Sequence, residues 1–126
     1  MAKFGQIFNR RDTSGEYFGV YPEMEVEANQ IYWPNTASGL FGVAEHPVKK
    51  NRLGNFATTG VFWFKAPTDS TFAVGDRIPV EVTAQIASVV TSHGAGSPKL
   101  FIGWAIEPKA SGSEDVHVLL HHFQPE

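Results

Sequence analysis

The feature that most constrains this chain is the lack of any sustained apolar stripe at the 3.6-residue period of a helix. Its apolar residues occur instead in short runs, most of them separated by Gly, Pro, Asn, Asp or Ser. Such runs, spaced roughly 8–12 residues apart with turn residues between them, are typical of antiparallel barrels and sandwiches. The pattern therefore predicts an all-β chain.

The predicted strands are rich in β-branched and aromatic residues and are bounded by turn formers. The strongest is NFATTGVFWFK, residues 55–65, whose unbroken apolar centre indicates burial on both faces or one face turned toward a partner. Pro79 marks another strand as an edge strand or as the site of a bulge. The expected strands cover residues 25–31, 40–44, 55–65, 71–74, 77–82, 85–91, 100–106 and 115–120.

Length and composition exclude several classes of protein. A chain of 126 residues fits one domain, since single domains usually have roughly 100–150 residues. The absence of cysteine excludes disulfides, thiolate metal sites and cysteine nucleophiles. The net charge of −3 argues against a nucleic-acid binder, because such proteins carry an excess of basic residues. No apolar run approaches the ~20 residues of a membrane span, and the start MAKFGQIFNRRD has no apolar signal region.

The first 22 residues stand apart because their periodicity is weak. They combine three basic residues with several aromatic ones, among them Phe4, Phe8, Tyr17 and Phe18. One interpretation is a loosely ordered terminus. The other is an arm whose rings dock on a neighbouring subunit, since exposed aromatic residues are costly without a partner. We therefore divide the chain into an N-terminal arm, residues 1–22, and a β-domain, residues 23–126.

No motif for catalysis or cofactor binding is found. The loop 93–99 (HGAGSPK) is not a phosphate-binding P-loop, and no G-x-S-x-G elbow positions a nucleophile. Asp115, His117 and His121 could contribute to a metal site, but the alternative is a polar strand face that leads into an exposed tail. The sequence thus predicts no catalytic residue, no cofactor and no metal. A small metal-dependent binder that uses these three residues remains an alternative.

Five runs in order resemble the small phage and prophage proteins grouped as DUF2190. The family pattern reads G-L-x-G-V-A, then G-V-F-x-L-P-K, then A-x-G-D, then I-G-x-A before a last strand. The corresponding residues here are 39–44 (GLFGVA), 59–66 (TGVFWFKA), 72–78 (FAVGDRI), 101–106 (FIGWAI) and 116–120 (VHVLL). The resemblance covers about residues 25–120. Pro79 and Val80 depart from it where the family usually has an aromatic pair.

The resemblance implies a capsid decoration, or cement, protein that binds and stabilises the assembled phage head. It also implies a small single-domain β-barrel or β-tulip, here with an extended N-terminal arm. The expected partners are the lattice of the major capsid protein and other copies of this chain, with no nucleic acid and no membrane. Closed symmetry favours a trimer and also permits a dimer. The expected location is the capsid surface, after synthesis in the host cytoplasm.

The alternative within the same class is another virion assembly protein, such as a head–tail connector or a tail component. For the contacts between subunits we predict exposed rings in the arm and at the edge of the domain. These contact residues are Phe4, Phe8, Tyr17, Phe18, Tyr32 and Trp33.

Overall fold

The computed structural model describes residues 16–123, which form nine strands and no helix. The strands are β1 (Tyr17–Val20), β2 (Ile31–Tyr32), β3 (Gly42–Ala44), β4 (Gly54–Ala57), β5 (Val61–Lys65), β6 (Arg77–Thr83), β7 (Ile86–Val89), β8 (Leu100–Ala105) and β9 (Asp115–Leu120). Every strand pair is antiparallel. The prediction of an all-β fold is confirmed.

The nine strands form a single sheet in the order β1-β4-β3-β2-β7-β6-β8-β9-β5. Because β1 and β5 each have only one neighbour, the sheet is open and does not close into the expected barrel. It nevertheless curls, since Ile31 of β2, Phe64 of β5 and Val116 of β9 belong to the same buried core. The side-chain amide of Asn29 donates to the carbonyl oxygen of Trp63 at 2.6 Å and so links the loop before β2 to the edge strand β5.

A groove of about 580 Å³ remains where the curled sheet fails to close. Its walls are formed by the chain before and within β2, the end of β5, and β7. Both apolar side chains, such as Phe64 and Val89, and backbone edges line it. The seam of the open sheet is thus a groove and not a continuous strand ladder.

A smaller second core lies under β1, β3 and β4 and contains Val26, Tyr32, Ala44, Val48 and Phe56. Strand β1 contributes to it through Phe18, whose ring stacks on Phe56 with 5.6 Å between centroids. Residues 17–20 of the expected arm therefore form a sheet strand, paired in register from Tyr17 opposite Ala57. Phe4 and Phe8 lie outside the described residues.

Two expectations about individual strands have clear outcomes. The run 55–65 is not one strand, because the chain bends at Thr59 and Gly60 and separates β4 from β5. Gly60 has a φ of 123°, which residues with side chains rarely adopt. Pro79 was expected to mark an edge strand or a bulge. Strand β6 pairs with both β7 and β8 and is therefore not an edge strand, while its register with β8 shifts between Arg77 and Pro79, as at a bulge.

Gly103 allows the closest backbone approach between β8 and β9. Its φ is 154°, and a Cβ atom there would overlap the carbonyl oxygen of Leu119. Gly75 offers a comparison, because its φ is also positive, at 92°, while nothing lies within 4 Å of its missing Cβ. Substitutions at Gly75 and Gly103 can therefore be compared to distinguish the free-energy cost of backbone strain from the cost of steric overlap.

We expect Gly103→Ala to lower the free energy of unfolding by about 1–3 kcal/mol more than Gly75→Ala does, because only the former forces β8 and β9 apart. Gly75→Ala is expected to cost roughly 1–2 kcal/mol from its left-handed backbone alone. Urea denaturation of both variants and of the wild type measures the difference. Equal losses for the two variants would show that the strands accommodate the added methyl group.

Candidate protein-binding face

The outer side of β5, β9 and β8 carries a connected set of rings. Register places Trp63 opposite His117 and Trp104 opposite Leu119, so these side chains project from the same side of the sheet. Residues just after β9 extend the set. We call it the aromatic face, and it consists of Trp63, Trp104, His117, Leu119, His121 and Phe123.

Stacking holds the rings of this face in fixed positions. Trp63 and His117 stack almost parallel, with 4.0 Å between centroids and 7° between planes. His117 Nδ1 also lies 3.1 Å from a carboxylate oxygen of Glu107, which orients the imidazole. Trp104, His121 and Phe123 pack against one another with centroids 4.5–5.3 Å apart. A face with preset rings loses little side-chain entropy when it binds a partner.

The aromatic face is also exposed. Trp63 is 50% exposed and Leu119 is 40% exposed, and Val61, directly opposite Leu119, is 48% exposed. The guanidinium of Arg77 lies 4.1 Å from the centroid of the Phe101 ring, which extends the ring system onto β6. Aromatic and arginine side chains are enriched at protein interfaces, where they provide most of the binding energy. This is the composition of a docking surface.

Among the described strands, β5 pairs with β9 alone, so its other backbone edge lies beside the aromatic face without a strand partner. Leu120 N–H donates to Gly60 O and Ala66 N–H donates to Glu114 O. Alternation in an antiparallel pair then points the backbone N–H and C=O groups of Phe62 and Phe64 toward β9. The backbone groups of Val61, Trp63 and Lys65 point the other way, toward the unpaired edge. Such an edge can accept a further strand.

The contact predictions for Tyr32 and Trp33 are corrected by their burial. Tyr32 is 2% exposed and Trp33 is 1% exposed, so neither ring is available at the surface of the subunit. Tyr32 packs on Phe56, and burial, followed by the charge of Glu23, raises the pKa of its hydroxyl. Trp33 stacks on Phe41 and its indole N–H donates to Ser38 O at 2.9 Å.

Tyr17 and Phe18 are half-buried and already have partners within the subunit. The Tyr17 hydroxyl donates to a carboxylate oxygen of Glu45 at 2.8 Å, and Phe18 stacks on Phe56. Contact of these two residues with a neighbouring subunit stays a prediction. The sequence signal for the aromatic face was the alternation of Val61, Trp63 and Lys65 with two inward Phe residues, but only the pairing of β5 with β9 shows which side faces outward.

Asp115, His117 and His121 do not assemble into a metal site. Asp115 lies 3.7 Å from the ammonium of Lys65, while His117 contacts Glu107 and His121 packs on Trp104. Across residues 16–123, no three His, Asp or Glu side chains are grouped closely enough to hold a metal ion. Nor does that part of the chain contain a helix long and apolar enough to cross a membrane.

His122 lies beneath the aromatic face and anchors the end of the described chain. Its Nε2 lies 3.0 Å from Phe41 O, and its ring is 4.2 Å from the Phe41 ring. Burial lowers the pKa of His122, the charge of His121 lowers it further, and the Glu16 carboxylate opposes both. His122 is therefore held in its neutral form in the folded protein at neutral pH.

This shift predicts a pH dependence of stability. The folded pKa of His122 lies below its unfolded value of about 6.5, so the unfolded chain binds the proton more readily. The stabilisation is fully present above about pH 6.5 and is lost as the pH falls through the folded pKa. We expect His122→Gln to flatten the decline in unfolding free energy on acidification, and His46→Gln, which removes a histidine from an exposed loop, is the matched control. Identical declines in all three proteins would contradict this role.

The fold and the site define a small all-β domain with an exposed aromatic face. Comparison with protein families gives a match to the phage cement protein family over residues 14–120. The chain belongs to this family, and the phage cement class implied by the sequence resemblance is confirmed, while the DUF2190 grouping itself stays a prediction. No curated protein and no solved structure gives a significant match. Membership in a cement family supports a structural role in the phage capsid over a catalytic one.

Proposed function

We propose that this protein is a capsid decoration protein that binds the assembled head lattice of its phage as an oligomer and stabilises the shell. The observation that carries the proposal is the match to the phage cement family over most of the chain. The aromatic face supports it, because a cement protein needs an exposed, rigid surface to bridge subunits. The proposed location is the outer surface of the capsid, after synthesis in the host cytoplasm.

Many identical weak contacts suffice for such a role. Each copy that binds only the assembled shell stabilises it by mass action, and an oligomer engages several sites at once. Closed symmetry makes a trimer at local three-fold positions the favoured arrangement, with a dimer at two-fold positions as the alternative. Copy number tests this role against a connector or tail component, since hundreds of copies per virion fit decoration and about a dozen fit a connector.

The aromatic face is proposed to contact the lattice or the neighbouring copy. We expect Leu119→Lys to reduce binding to expanded capsids of the same phage by at least about tenfold, because it places a charge at the centre of the apolar contact. Leu53→Lys is the matched control, since Leu53 is 61% exposed and lies in the loop before β4, away from this face. Co-sedimentation with purified capsids measures both variants.

Wild-type binding by Leu119→Lys would exclude the aromatic face as the contact. Failure of the wild type itself to sediment with its own capsids would overturn the proposed function.

A further inference from the structure

Two exposed stretches of opposite charge lie side by side over the smaller core. An isolated bridge joins them, in which Val26 and Val48 exchange N–H to carbonyl bonds of 2.8 Å in both directions. One stretch carries three carboxylates and the other carries three cations. We call this set the charged patch, and its members, all exposed, are Glu23, Glu25, Glu27, Lys49, Lys50 and Arg52.

The register of the bridge fixes how the charges are arranged. Because the bridged valines are buried, the alternation of side chains turns Glu25 and Lys49 outward, opposite each other. The cations lie on a tight turn, in which Arg52 N–H donates to Lys49 O at 3.1 Å. Asn51 N–H donates to Pro22 O at 2.9 Å and ties this turn to the start of the acidic stretch. The two signs are therefore sorted onto two neighbouring segments and held there by the backbone.

The charges of the patch are not neutralised within the subunit. Across residues 16–123, no side chain of the charged patch forms an ion pair within 4 Å. A partner of one sign would be attracted to one stretch and repelled by the other. The surface that fits the patch therefore carries both signs, side by side and in the reverse order.

A second copy of the same patch has this pattern. When the copy is turned by 180° about an axis along the boundary between the two stretches, Glu25 meets the partner subunit's Lys49, and Lys49 meets the partner subunit's Glu25. A two-fold axis across the boundary would instead place like charges on like charges, which is repulsive. Tyr21, which is 63% exposed, lies at the Glu23 end of the patch and adds an aromatic anchor.

We propose that the charged patch is the contact through which two copies of this protein form a two-fold dimer. Such a contact is salt-sensitive, because exposed charges hold it together. It includes no residue of the aromatic face, which stays free for the proposed contact with the lattice. The dimer forms in the free protein and does not depend on the capsid role. The patch favours the two-fold arrangement, which symmetry alone ranks second to the trimer.

Sedimentation equilibrium of the full-length protein at low salt, about 50 mM, tests the proposal. We expect a wild-type dimer whose dissociation constant rises at least about tenfold in Glu25→Lys and in Lys49→Glu, since each reversal creates two like-charge contacts. An equimolar mixture of the two variants should dimerise as the wild type does, because every contact between the two copies again joins opposite charges. Mixing leaves the charges within each subunit unchanged, so this rescue reports only on the contact between copies.

The matched control is Lys99→Glu, which makes the same charge change as Lys49→Glu in the exposed loop before β8 and should keep the wild-type dissociation constant. A wild type that stays monomeric up to about 1 mM would overturn the proposal. So would an equal loss in Lys99→Glu, or a mixture of the two variants that does not dimerise. A dimer that survives both reversals but is lost in Leu119→Lys would assign the contact to the aromatic face instead. Because no capsid is present, failure here is distinguishable from failure of the decoration role.

Discussion

The fold depends on one constraint: in the described chain a sheet of short strands has no helix to cover its apolar face. The sheet must therefore bury that face against itself. Curling brings Ile31 of β2 into one core with Phe64 and Val116, although β2 lies far from β5 and β9 in the sheet order. Two features of the surface follow from the curling. One is the groove where the sheet stops short of closing, and the other is an outer surface that carries aromatic side chains not buried in the core.

The outer rings gain their order from the same strand pairing that builds the core. Because β9 pairs with both β5 and β8, one strand aligns His117 with Trp63 and Leu119 with Trp104. Gly103 is part of this arrangement, since only a residue without a side chain lets β8 lie so close to Leu119. The aromatic face is thus as well defined as the core beneath it, as the proposed contact with a repeated lattice requires.

The local sequence pattern was sufficient to predict most strand positions. It was insufficient to predict which side chains lie at the surface. Breakers and β-formers placed most strands, and of the two alternatives at Pro79, an edge strand or a bulge, the register shift in β6 fits the bulge. Strand β1 was missed because its pairing with β4 is long-range and leaves little alternation in the sequence. Trp33 was predicted to lie at an exposed edge of the domain, yet it lies against Phe41 in the core. Which aromatic residues face outward depends on register, and short runs do not encode register.

The two ends of the described chain lie close together. Glu16 bonds to the turn between β4 and β5, and its charge acts on His122, which in turn contacts Phe41 just before β3. Residues 16 and 123 therefore leave the sheet at the same end of the molecule. A short linker could join them and new termini could be opened in the exposed loop around Ala95, which makes this domain a natural candidate for circular permutation.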